Sequence, residues 1–132
     1  MDYYLQPGNS YNRLEEEYKR YGKLILCVDY DDTIFDYHKK GRTYEQIISL
    51  LHRWEKYSDV IIFTGNGEEK YPEIAQYLAE HKIRYQGINC DSAIRVAGRK
   101  VYANCYIDDR AGLIQVYYEL LHLIEKIEKG EI

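Results

Sequence analysis

Three short, unbroken apolar runs limit this chain more than anything else in it: Leu24-Ile25-Leu26-Cys27-Val28, Val60-Ile61-Ile62-Phe63 and the looser stretch from Val101 to Ile107. Runs that short, rich in β-branched residues, suit strands buried on both faces, as in a parallel sheet. Helical patterns lie between and around them. Tyr11, Leu14, Tyr18 and Tyr21 make one stripe, and Gly22 stops that helix. Thr43 and Gln46 form a capping-box pattern, after which Tyr44, Ile47, Ile48, Leu51 and Trp54 follow helical spacing. Ile74, Tyr77, Leu78 and His81 predict a third helix over about Lys70 to His81. Tyr85 to Ile88 reads as a weak strand. Leu113, Val116, Leu120, Leu123 and Ile127 stripe a last helix, from about Ala111 to Lys129, closed by Gly130.

Alternating strands and helices imply right-handed crossovers and a mainly parallel sheet. The expected fold is therefore α/β, a three-layer Rossmann-like sandwich with the 24–28 strand between those at 60–63 and 101–107. An N-terminal arm and helix, residues 1–22, would pack on a single domain formed by residues 23–132.

The chain has 132 residues, 45% of them hydrophobic and 30% charged, which is enough for one core and too few for two. Lysine and arginine number 18 against 22 acidic residues, for a net charge of -4. That balance argues against a surface that grips nucleic acid throughout. No apolar run approaches the ~18 residues of a membrane helix, and Met1-Asp2-Tyr3-Tyr4 has no signal-peptide pattern. Cys27, Cys90 and Cys105 are odd in number and lack zinc-site spacing, so they read as reduced thiols of a cytoplasmic protein. Tyrosine dominates the aromatic residues, 16 against one tryptophan and two phenylalanines. It suits half-buried helix faces, because its ring packs while its hydroxyl stays polar.

In open parallel sheets, function gathers at the carboxyl ends of strands. Here those ends are Asp29-Tyr30-Asp31-Asp32-Thr33, Thr64-Gly65-Asn66 and Asp108-Asp109. Read singly, such an aspartate caps the next helix as readily as it serves a site. Together, five carboxylates on one sheet edge repel one another, and a hard divalent cation with oxygen ligands, Mg²⁺, is the natural compensation.

The order of these segments resembles the haloacid dehalogenase-like (HAD) superfamily of phosphohydrolases. Asp29-Tyr30-Asp31-Asp32-Thr33-Ile34 is similar to its first motif, Ile61-Ile62-Phe63-Thr64-Gly65 to its second, and Tyr106-Ile107-Asp108-Asp109 to its fourth. Lys100 stands where the third motif's lysine is often found, with Arg99, Arg95 and Lys82 as the other basic residues available. The resemblance runs from about Leu24 to the C-terminus and is closest to short, capless members whose last motif reads Tyr/Phe-Ile-Asp-Asp-Arg.

The resemblance implies a Mg²⁺-dependent phosphatase acting through an aspartyl-phosphate. Asp29 would be the nucleophile and Asp31 the general acid and base. Thr64, Gly65 and Asn66 would bind the phosphoryl group. Lys100 would neutralise charge, and Asp29, Asp31 (through its carbonyl), Asp108 and Asp109 would hold the metal. Asp31 favours phosphate over halide, because a halide leaves without a proton. Asp32 departs from the glycine common at that position.

Neither the stretch from Thr33 to Thr43 nor that from Thr64 to Lys100 has room for a cap domain. A capless site fits a macromolecular substrate, a small phosphomonoester, or a neighbouring subunit used as a lid; a nucleic-acid end has no support from the net charge. The loop Asp36 to Arg42 carries three basic residues and His38, and could steer an anion or simply be solvated. The alternatives to an enzyme are a catalytically silent HAD-like module and a receiver-like module that binds phosphate and Mg²⁺. The receiver is disfavoured, because the last strand ends in acids and no aspartate ends the 60–63 strand.

Overall fold

The computed structural model describes residues 1–132. After a single 3-10 turn at Tyr3–Leu5 come α1 (Asn9–Tyr21), β1 (Leu24–Asp29), α2 (Glu45–Trp54), β2 (Ser58–Phe63), α3 (Tyr71–Glu80), β3 (Gly87–Ile88), β4 (Cys105–Ile107) and α4 (Leu113–Glu128). The sheet is ordered β3-β2-β1-β4 and is parallel throughout. β1 therefore sits between β2 and β4, in the place its unbroken apolar run predicts. The fold is Rossmann-like α/β, and no further domain interrupts it.

Alternation along the strands sorts the side chains into two unequal cores. Leu24, Leu26 and Val28 of β1, Val60 and Ile62 of β2, and Cys105 and Ile107 of β4 share one large cluster. All four helices feed it: Leu14 from α1, Leu51 and Trp54 from α2, Leu78 from α3, and Leu120 and Leu123 from α4. On the other face, Cys27 and Ile61 meet only Val101, with Ala103 and Tyr106 beside them.

Connection handedness explains this. The steps β1 to β2 and β2 to β3 move outward in one direction and put α2 and α3 on one side. The return from β3 to β4 recrosses the sheet, and a right-handed crossover must then run over the opposite face. That crossover, residues 89–104, forms no helix, so the third layer of the sandwich is irregular chain.

Several boundaries differ from the sequence expectation. β4 is shorter than 101–107, because the Asn104 side chain takes over ladder pairing: its Oδ1 accepts the Ile25 N–H at 2.6 Å, while its own N–H donates to the Ile25 carbonyl. The Thr43–Gln46 capping box does not form. Tyr44 is the residue before α2, without a side-chain cap, and its hydroxyl is turned to Asp32. Lys70 belongs to a 3-10 turn (Glu68–Lys70) ahead of α3. All three cysteines are free. Burial raises Cys27 to about 11 and Cys105 to about 12, so neither is a ready thiolate. No helix is long and apolar enough to cross a membrane.

Candidate functional site

β1 delivers the first acids by simple alternation. Val28 and Tyr30 point into the main core, so Asp29 and Asp31 emerge on the other side. Tyr30 is anchored there by stacking on Phe35, with ring centroids 4.9 Å apart, and by an edge contact with Tyr77 at 5.7 Å. The Tyr77 hydroxyl donates to the Ile34 carbonyl at 2.6 Å. The Tyr30 carbonyl accepts the N–H groups of Ile34 and Phe35, both at 3.1 Å, and closes the turn after the strand. Asp32 takes φ +61° in that turn. This is the left-handed region that favours glycine and that aspartate tolerates better than most residues. Its side chain also has work: Oδ2 pairs with His38 Nδ1 at 2.8 Å, and Oδ1 accepts from the Tyr44 hydroxyl at 3.3 Å.

One wall of the site is a carboxylate cluster. Oxygens of Asp29, Asp108 and Asp109 lie within 4.8 Å of one another. Thr33, fully buried, has its hydroxyl 2.8 Å from Asp29 Oδ2 and 3.0 Å from Asp109 Oδ1, and it accepts the Asp109 N–H at 3.0 Å. A hydroxyl has one hydrogen, so it satisfies one of those two carboxylates at a time. Burial raises Asp29 to about 7, reinforced by its contact with Asp109 and by the negative charges of Asp108 and Asp109; the Thr33 hydroxyl works in the opposite direction. A small divalent cation relieves the mutual repulsion of such a group of hard oxygen donors. The donor set therefore fits Mg²⁺.

The opposite wall treats Asp31 differently. The Thr64 hydroxyl donates to Asp31 Oδ2 at 2.8 Å, and Asn66 Nδ2 lies 3.3 Å from both Asp31 oxygens. Asn66 also donates its backbone N–H to the Thr64 hydroxyl at 3.1 Å. Asp31 thus faces neutral donors, two residues along the chain from a carboxylate that faces other carboxylates.

Thr64 is in turn held by Asn89, which sequence reasoning missed. The Asn89 N–H donates to the Ile62 carbonyl at 2.8 Å and continues the β2–β3 ladder. The chain then turns away, with Asn89 at φ +51°. Its carboxamide completes the pairing: Oδ1 accepts the Thr64 N–H and Nδ2 donates to the Thr64 carbonyl, both at 2.8 Å. The second amide hydrogen goes to the Tyr71 hydroxyl at 2.9 Å. The available signal was position, because Asn89 directly follows the weak strand, at the same sheet edge as the other site residues.

The walls enclose an open cleft of about 420 Å³ that also exposes Gly65, Tyr37, His38 and Arg110. Arg110 donates its backbone N–H to Asp108 Oδ1 at 2.9 Å. His38 and Arg110 supply the basic groups of the lining. Lys100 does not. Its ammonium lies 5.4 Å from the Tyr106 ring centroid, and Lys100 is absent from the cleft wall. Tyr106 pairs with Cys27 in the small cluster, on the sheet face from which Asp29 also emerges. Lys100 rides on the irregular crossover, where spacing in sequence does not fix direction in space. Lys39, Lys40 and Arg42 also lie outside the cleft wall.

No protein-family profile and no curated protein matches the chain. A solved structure of a conserved protein from Bacteroides thetaiotaomicron is similar, at 19% identity and a TM-score of 0.60. The match covers 82% of this chain and 92% of that one. At that identity the likeness speaks for the fold alone.

Proposed function

We propose that this chain is a capless, HAD-like phosphohydrolase that hydrolyses a phosphomonoester through an aspartyl-phosphate on Asp29. The observation that carries the reading is the unequal treatment of Asp29 and Asp31: one sits in a carboxylate cluster, the other against neutral donors. A nucleophile that would be held by the metal and a separate proton carrier outside the metal cluster need that division.

Bound Mg²⁺ would supply charge neutralisation for the phosphoryl oxygens and the cluster. Asp29, Asp108 and Asp109 would hold it, with the Asp31 carbonyl as a further donor. Asp29 attacks as a carboxylate, beside Asp108 and Asp109, which with it would hold the cation. An Asp29 oxygen then forms a bond to phosphorus while the bond to the leaving oxygen breaks, and Asp31, as the general acid, passes a proton to that oxygen. In the second half, a water oxygen attacks phosphorus, Asp31 takes the water's proton, and the phosphorus–Asp29 bond breaks. The Asn66 amide and Gly65, which line the cleft, are placed to bind phosphoryl oxygens, while the Thr64 hydroxyl, whose hydrogen goes to Asp31, holds that acid in position. Arg110, on the cleft wall, would neutralise charge there, the role that the sequence resemblance gave to Lys100.

The test is a phosphatase assay on purified protein with and without Mg²⁺. Release of inorganic phosphate that requires Mg²⁺ and disappears in Asp29→Asn supports the reading. Absence of release across sugar phosphates, nucleotides and phosphorylated nucleic-acid ends would sink it.

One observation favours a second reading, a silent module that binds phosphate and Mg²⁺: Lys100 is not among the residues that line the cleft. Tight Mg²⁺ and phosphate binding without turnover would select that reading.

A further inference from the structure

Beside the acidic cleft lies a second depression, of about 370 Å³, between the first turns of α2 and α4. Tyr44 and Ile47 form one side, and Leu113, Ile114, Tyr117 and Tyr118 the other. Thr43, Glu45 and Gln46 add a polar rim. The size is that of a small-molecule site, and the composition, apolar with a few hydrogen-bonding groups at one edge, is also typical of one.

Both sides of this groove continue the walls of the acidic cleft. On one side, Tyr44 lines the groove with its ring and donates its hydroxyl to Asp32, a residue of the cleft. On the other, the chain runs from Asp108, Asp109 and Arg110 through Gly112 directly into Leu113 and Ile114. Gly112 takes φ +66° and turns the chain from the metal-binding acids into α4. The groove thus adjoins the cleft along both of its sides, and within the cleft itself Tyr37 is the one hydrophobic residue of the wall.

The exposure there calls for an occupant. Ile114 is 78% exposed and Tyr118 62% exposed, on the first turns of a helix whose Leu120, Leu123 and Ile124 are fully buried. Neither side chain belongs to the core or its packed fringe. Flat tyrosine walls favour a flat ligand, because aromatic rings stack or meet edge to face. The rim can read hydrogen-bonding edges through the Thr43 hydroxyl and the Gln46 amide. Glu45 and a net charge of -4 work against a trailing polyphosphate or a long nucleic-acid strand.

Resting on the phosphatase reading above, we infer that the groove between the first turns of α2 and α4 binds the base of a nucleoside monophosphate while the phosphate lies on Asp29. The substrate class is then a mononucleotide, and Ile114, Tyr117 and Tyr118 set specificity without touching the reacting atoms.

A matched pair of substrates isolates this claim. Adenosine 5′-monophosphate and ribose 5-phosphate present the same phosphate on the same primary alcohol and differ in the base. The expected ratio of kcat/KM, nucleotide over sugar phosphate, is at least about tenfold. In Ile114→Ser and Tyr118→Ala that ratio falls to within about threefold of unity, whereas Tyr21→Ala, which removes an exposed tyrosine outside the groove, keeps it. Equal hydrolysis of both compounds by the unaltered protein overturns the inference and leaves the phosphatase reading standing. A 5′-phosphorylated oligonucleotide preferred over the mononucleotide overturns the mononucleotide assignment. If neither compound is turned over, calorimetry decides the groove alone. Tighter binding of the nucleotide than of the sugar phosphate, lost in Tyr118→Ala, supports it; equal binding or none overturns it.

Discussion

Asp29 and Asp31 are two residues apart on one strand end, and the structure gives them opposite surroundings. Asp29 sits with Asp108, Asp109 and the buried Thr33 hydroxyl, and is held at about 7 by burial and by its neighbours' charge. Asp31 is bound by the Thr64 hydroxyl and the Asn66 amide. The difference comes from which strand lies alongside. β4 adds more acid next to Asp29, whereas β2 ends in neutral hydrogen-bonding residues next to Asp31. A central strand with two unlike neighbours can therefore make two chemically unlike carboxylates from two identical residues.

The largest expected effect follows from removing the nucleophile. Asn at position 29 keeps the shape and loses the attacking carboxylate, so turnover should fall at least about a thousandfold on every substrate. Asp31→Asn should behave differently, because it removes a proton donor whose worth depends on the leaving group. On a poor alkyl leaving group the loss should reach about a hundredfold or more, and on 4-nitrophenyl phosphate it should be much smaller. Rates for both variants on both substrates test the comparison. Equal losses in Asp31→Asn would break it.

Next in size is the metal side. Asp108→Asn removes one charge from the cluster and should weaken Mg²⁺ binding at least about tenfold by calorimetry. Asn66→Ala, on the other wall, should change Mg²⁺ affinity less than twofold, an estimate that follows from its neutral amide and its contact with Asp31. If both variants lose affinity alike, the two walls are one site and the distinction fails.

The pH dependence has a definite sign. The Asp29 carboxyl is raised to about 7 in the fold, against an ordinary carboxylate value near 4 when unfolded. Between those values the folded chain holds a proton that the unfolded chain has lost. The metal-free protein should therefore lose stability as pH rises through that window, with the contribution fully present below it. Mg²⁺ affinity should move the opposite way, rising with pH until about 7 and then levelling as the competing proton is gone. Urea denaturation at several pH values, with and without Mg²⁺, checks both. Asp29→Asn should flatten the stability slope.

The parts of this site that were legible in the sequence are those fixed by strand periodicity. Asp29, Asp31, Thr64, Asn66, Asp108 and Asp109 directly follow short apolar runs, and a parallel sheet aligns such ends along one edge. Lys100 was not legible, because the crossover from Asn89 to Asn104 has neither helical nor strand period to say which way its side chains face. Tyr44 was placed on the apolar stripe of α2 and instead marks the start of the helix, with its hydroxyl on Asp32, a contact between segments that no local pattern encodes. The same holds for the two asparagines that extend the sheet by side chain, Asn104 at the entry to β4 and Asn89 at the exit from β3.

Asn89 gives the smallest and most discriminating effect. Its carboxamide uses one acceptor and both hydrogens, two of the three bonds going to the Thr64 backbone. Aspartate keeps the acceptor's position and tolerates the left-handed backbone, but it supplies no donor, and its charge lies against the Thr64 carbonyl. Each net hydrogen bond is worth about 1 kcal/mol, so Asn89→Ala should lower unfolding stability by about 1–2 kcal/mol. Its functional effect should fall on the Asp31 wall alone, because Thr64 faces Asp31 and the acid cluster hangs on other strands. We expect kcat/KM for a phosphomonoester to fall about three- to tenfold in Asn89→Asp, while Mg²⁺ affinity stays within about twofold. A matching fall in Mg²⁺ affinity would mean that Asn89 supports the whole sheet edge, and that the two walls are not independently held.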